Sequence, residues 1–215
     1  MNEPFDTSQS AERDAAPMGG QPASIPPSRI ALDRMTGSLD LLTGERVHVR
    51  PISPDDMRRL QDFHAQLSSD SVVFRFFRFL PTLPDADAER FTHLDYNNRM
   101  ALVATEGPPE DERIVSVVRY ERIAPDTAEV AFVVADRWQG HGIATALLHR
   151  LAPYARMRGI TRMLAVTMAA NARMLEVLHN AGYPFSTRYS DGELEVTLDI
   201  SAPANGEVSL EEPAS

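Results

Sequence analysis

The sequence predicts a mixed α/β domain. Three observations lead there. Strand-length apolar runs recur along the chain with turn signals between them. Capped segments with helical apolar spacing interrupt those runs. The length, 215 residues, is most simply one domain with tails, large enough for a substantial core.

Taken in order, residues 1 to about 29 are Ser, Pro, Gly, Ala and charge, which bury too little apolar surface to offset the entropy of ordering. Residues 30–43 carry scattered leucines that either dock on the body or stay loose. Residues 1–43 are therefore set apart as a disordered, low-complexity extension, 44–200 as the domain, and 201–215 as an acidic disordered tail. Within the domain, ERVHVRPI alternates as a strand. SPDDMRRLQDFHAQL is a helix with Ser53 before it and Pro54 in its first turn. DADAERFTHL is a second helix. MALVAT and ERIVSVVRYERI are strands separated by GPPED, and APDT turns the chain into the apolar strand TAEVAFVVAD. A glycine loop then opens a helix that runs to about Arg158 and is ended by Gly159. Pro153 lies inside that helix and is expected to kink it. ITRMLAVTM is a strand, and NARMLEVLHNAG is a helix capped by Asn171. FSTRYSDGELEVTLDI is a hairpin turning at Asp191–Gly192.

Composition excludes several classes. Without cysteine there are no disulfides or thiolate metal sites, and a reducing cytoplasm is compatible. The formal charge of −10 argues against a nucleic-acid partner and suits a cationic one better. All 21 basic residues are arginine, a composition bias first of all. No run of 18 apolar residues exists, and the N-terminus lacks the pattern of a signal peptide, so the expectation is a soluble, cytoplasmic protein without a membrane partner. His64, His93, His149 and His179 lack ligand spacing, and no metal is expected.

The chemistry sits in RWQGHGIATALL, residues 137–148. A strand, a short glycine loop and a helix together make an anion site, because loop amides and the helix dipole point at the ligand. The nucleotide-hydrolase loop needs a lysine that this chain does not have. The dinucleotide fingerprint needs glycine where Thr145 stands. What remains, Gln139-Gly140-His141-Gly142-Ile143-Ala144, fits Q/R-x-x-G-x-G/A. Here the sequence resembles the GNAT superfamily of acetyl-CoA-dependent N-acetyltransferases. NARMLEVLHNAGY, with Asn171 and Gly182-Tyr183, resembles that family's later motif, so the likeness covers about residues 128–183.

The resemblance implies a mixed, mostly antiparallel sheet with helices on both faces. It also implies acetyl-CoA as cosubstrate. The amides from about Gly140 to Thr145, through His141, Gly142, Ile143 and Ala144, would meet the pyrophosphate. Phe132, Val133 and Val134 would splay from the neighbouring strand and pair with the pantetheine. Asn171 either holds the pantetheine arm or serves only as a helix cap. His141 stands where relatives often carry Arg or Lys. Leu178 stands where many carry a tyrosine general acid, so the leaving thiolate must be protonated otherwise.

A lysine amine near pKa 10.4 is neutral roughly once in a few thousand at pH 7, so a base matters. Glu129, heading EVAFVV, matches the catalytic glutamate of Pat-type protein lysine acetyltransferases; the competing reading is an edge carboxylate in solvent. Asp126 and Asp136 are less favoured. Residues 68–104, SSDSVVFRFFRF through MALVA, resemble the same Pat-type segment and imply a wall of the substrate cleft. Its aromatic–arginine interleaving also matches single-strand stacking platforms, but the negative net charge favours core phenylalanines. The implied partner is a protein with an exposed lysine, such as an acyl-CoA synthetase. A small-amine acetyltransferase and a non-catalytic acyl-CoA sensor remain alternatives.

Overall fold

A computed structural model describes residues 29–41 and 43–207. Eight strands form one sheet in the order β1-β2-β3-β4-β5-β6-β8-β7. They are β1 (Gly37–Asp40), β2 (Arg46–Pro51), β3 (Arg99–Glu106), β4 (Arg113–Ala124), β5 (Thr127–Val134), β6 (Arg162–Met168), β7 (Phe185–Ser190) and β8 (Glu193–Asp199). Every pairing is antiparallel except β5 with β6. The helices are α1 (Arg29–Arg34), α2 (Met57–Ala65), α3 (Ser69–Phe76), α4 (Asp85–Thr92), α5 (Ile143–Met157) and α6 (Ala172–Asn180).

Strand alternation sends side chains to two separate cores. Met100, Leu102 and Ala104 of β3 face α5 and α6 with Leu147, Leu151 and Leu178. Ala101 and Val103 point the other way, onto Leu60 and Phe63 of α2 and Ala88 of α4. Helices therefore cover both faces. α5 is apolar on nearly every side because it is the most deeply buried helix, and it runs through Pro153 without a break. Asp191 and Gly192 both take positive φ, 54° and 87°, the turn that the Asp-Gly pair predicts for the β7–β8 hairpin.

Two expectations are corrected. The folded body starts before residue 44: β1 pairs with β2, Met35 is fully buried, and Arg150 of α5 donates to the carbonyls of Met35, Gly37 and Ser38. It also extends past residue 200. Glu207 accepts from Arg156, Tyr183 and the Ala204 amide, so the first part of the supposed tail docks on the body. The remaining stretches of the two expected tails, 1–28 and 208–215, lie outside the described residues. Residues 69–76, to which the sequence reading assigns no element, form a helix. Ser68 caps it, accepting from the Ser71 amide at 3.2 Å. Among the described residues no helix is long and apolar enough to cross a membrane, and no group of three acidic or histidine side chains could hold a metal ion.

Candidate active site

β5 holds β4 along its whole length, but its parallel pairing with β6 covers only Thr127, Ala128 and Glu129. Beyond Glu129 the two strands part, while β6 continues against β8 to Met168. The gap leaves one edge of Phe132–Val134 without a strand partner and opens a cleft of about 760 Å³. Its walls are α3, the end of β5, the loop after it with the first turn of α5, and α6.

The loop takes its shape from two glycines at φ 81° and 83°, Gly140 and Gly142, a conformation that L side chains rarely adopt. A Cβ on Gly140 would meet nothing within 4 Å, so the requirement there is conformational and not steric. Gly142 is the N-cap of α5. The amides of Ile143, Ala144 and Thr145 therefore have no intrahelical acceptor, and all three residues line the cleft. The buried α5 behind them aims its positive end into the opening.

Gln139 lines the cleft as a brace. Its Nε2 donates to Ser71 Oγ at 3.1 Å and to the Val134 carbonyl at 3.0 Å, while its Oε1 accepts from Arg173 of α6. Asp136 ties α3 to the same loop, accepting from the Ser68 amide and hydroxyl at 2.9 and 2.6 Å and from Ser71 Oγ at 2.9 Å. Burial would raise the Asp136 carboxyl, but these bonds outweigh it and hold it below the usual carboxylate range. Asn171 caps α6, its Oδ1 accepting from the Met174 amide at 3.1 Å, and it also borders the cleft.

Two predicted residues lie elsewhere. The His141 side chain is not part of the cleft lining; its Nδ1 lies 3.0 Å from Glu45 Oε2 and its ring is edge-on to Trp138. Glu129 stands at the apex where β5 and β6 part, exposed, opposite Glu121 on β4 and Leu164 on β6. It does not belong to the lining of the main cleft.

Leu178 is buried in the α5-side core. Among the described residues no tyrosine lines the cleft; the hydroxyls of Tyr96, Tyr120, Tyr154 and Tyr183 are all spent on protein acceptors. Sequence reasoning expected a wall from residues 68–104 but named no side chains for it. Ser68, Ser71, Phe74 and Arg75 provide that wall. The cap pattern Ser68-x-x-Ser71 is the signal that locates its start.

This geometry coincides with similarity to known proteins. Residues 46–184 match the family model described as an acetyltransferase (GNAT) domain. The crystal structure of the GNAT domain of S. lividans PAT superposes with a TM-score of 0.71 at 39% identity, covering 77% of this chain and 97% of that one. Acetyltransferase PA5475 of Pseudomonas aeruginosa is 30% identical over 152 residues, 70% of this chain and 81% of its own. Acetyltransferase Pat of Mycolicibacterium smegmatis is 29% identical over 72% of this chain, which spans only 47% of that longer relative. The splayed strands, the glycine loop and these matches agree: the chain belongs to the GNAT family of acetyltransferases.

Proposed function

We propose that this enzyme transfers an acetyl group from acetyl-CoA to the side-chain amine of a lysine on a protein, with acyl-CoA synthetases as the substrate class. The observation that carries the substrate class is the wall formed by α3, together with 39% identity to the S. lividans PAT domain along nearly all of that domain.

GNAT acetyltransferases use acetyl-CoA, and the cleft residues fit it. The amides at the start of α5 suit a pyrophosphate, with Gly140 and Gly142 letting the backbone approach closely. The free edge of Phe132, Val133 and Val134 suits the amides of a pantetheine arm. The Asn171 Oδ1 is occupied by its cap, so only its Nδ2 is left for a ligand. Bound there, acetyl-CoA supplies an activated acyl thioester. Glu129 at the strand apex accepts the proton that the attacking amine must lose, and solvent protonates the leaving thiolate in place of a tyrosine. A chain without lysine cannot modify its own side chains, and one without cysteine has no need of an oxidising compartment, which fits a cytoplasmic setting.

The test compares kcat/KM for an acyl-CoA synthetase, a peptide carrying its target lysine, spermidine and an aminoglycoside. The folded protein is expected to exceed the others by about tenfold or more, because contacts around the lysine contribute in the transition state. A small amine ahead by that margin makes this a small-molecule acetyltransferase. Coenzyme binding without turnover on any of them makes it an acyl-CoA sensor.

A further inference from the structure

Beside the main cleft lies a smaller recess of about 30 Å³, roofed by α2, α3 and α4 and floored by β4 and β5. Phe63, Phe76, Phe91 and Val133 make it apolar, yet Arg75 of α3 and Arg119 of β4 both border it. Arg75 and Val133 also line the main cleft, so the recess adjoins it across these two side chains. Arg119 lies opposite Ala131, and Glu121, two residues on, lies opposite Glu129. The recess thus shares a sheet face with Glu129, close to the point where β5 and β6 part.

The two cations are poorly compensated. Arg119 stacks 4.2 Å from the centre of the Phe91 ring, and Arg75 lies 5.1 Å from that of Phe76. The Arg119 Nη2 makes one long bond, 3.4 Å, to the Phe91 carbonyl. Among the described residues neither guanidinium has a carboxylate oxygen within 4.0 Å. Burial pulls both below the usual arginine range; the charge of Arg75 adds to the effect on Arg119, while Glu121 opposes it at Arg119 and Glu129 at Arg75. Two part-buried positive charges bordering one recess, with no carboxylate against either, are an arrangement that an anion would relieve. Planar guanidinium forks match a carboxylate in particular, and the aromatic walls suit a short methylene chain.

We propose that Arg75 and Arg119 form a carboxylate seat beside the reacting centre, fitting a short carboxylate-ended group carried by the acyl donor (the malonyl and succinyl thioester class) or by the amine acceptor. The position of the reacting carbon rests on the acetyl-CoA reading above. In the transfer, the amine nitrogen bonds to the acyl carbon and the carbon–sulfur bond breaks. The amine proton passes to Glu129, the electron pair leaves on sulfur, and water protonates the thiolate. The seated carboxylate takes no part in bond changes; it fixes the chain that carries it.

Calorimetric titration of the full chain, wild type against Arg75→Met and Arg119→Met, tests the seat with acetyl-CoA, succinyl-CoA, and β-alanine in the presence of CoA. Wild type is expected to bind succinyl-CoA about tenfold tighter than acetyl-CoA. Both variants should lose that preference, and Arg119→Met, whose side chain is outside the main cleft, should hold acetyl-CoA within about twofold. Equal donor affinities, with β-alanine binding that needs both arginines, assign the seat to the acceptor. If neither variant changes any carboxylate ligand relative to acetyl-CoA, the seat is overturned and the acetyl-CoA reading stands. If acetyl-CoA itself does not bind, that reading falls, and the melting shift given by free succinate decides the seat: lost in both variants it holds, and absent or unchanged it does not.

Discussion

Glu129 is the last residue of β5 that pairs with β6, so its backbone is fixed by strands on both sides while its side chain remains in solvent. That combination suits a proton acceptor, which must be positioned and must also exchange its proton with water. Its place at the head of an apolar strand is visible in the sequence; the parting of that strand from its neighbour is implied at Phe132–Val134 only by the family resemblance, because where it begins depends on where β6 and β8 pair. Glu129→Gln keeps the shape and removes the acceptor. The expected result is kcat lower by ~10²–10⁴ at pH 7 with acetyl-CoA affinity unchanged, and partial recovery at high pH as the amine deprotonates unaided. A wild-type kcat at pH 7 would move the base to another group. At His141 the sequence shows a side chain in the anion loop where relatives often carry Arg or Lys, whereas the fold gives it Glu45, from just before β2, and Trp138 as neighbours. A partner so distant in sequence has no local signature.

The glycine loop and α5 form the element most legible in the sequence, because positive φ at Gly140 and Gly142 and the apolar run after them are local requirements. Helix α3 is the opposite case. SDSVVFRF mixes β-branched and aromatic residues that favour a strand as readily as a helix. What makes it helical is the Ser68 cap and the Asp136 carboxylate arriving from the far side of the cleft, 65 and 68 residues along the chain. The element-scale prediction concerns the loop. Gly142→Asp forces an L side chain into φ 83° and sets a negative charge at the N-terminus of α5, where the coenzyme phosphates would sit. In wild type, acetyl-CoA at 100 times its Kd should add about 2.7 kcal/mol of stability. In the variant, melting with and without acetyl-CoA should coincide, the unliganded scan serving as the control for folding. A wild-type melting shift in Gly142→Asp removes the phosphates from this loop.

For the molecule as a whole, the boundaries were the least legible feature, because polar ends reveal nothing of the partners that order them. β1 is held by Arg150 and the segment before residue 208 by Arg156, both arginines of α5, the helix at the centre of the fold. Glu207 is the key at the C-terminal side: it meets both Arg156 nitrogens, the Tyr183 hydroxyl and the Ala204 amide, with its side chain 7% exposed. Burial would raise its carboxyl, but Arg156 and Tyr183 outweigh that and hold it below the ordinary 4.5. The folded state therefore binds this proton less readily than the unfolded chain does. The contribution to stability is complete above about pH 4.5 and is lost as pH falls through the lower folded value. Glu207→Ala leaves a half-buried guanidinium and a buried hydroxyl without their acceptor, at a cost of about 1–3 kcal/mol at pH 7. Urea unfolding of both chains should show that difference at pH 7 and a smaller one at pH 3.5, since by then part of the advantage of the ionised carboxylate is gone. A difference that stays constant across the range would mean that Glu207 acts through packing alone. No difference at pH 7 would mean that the segment rests on the body without stabilising it.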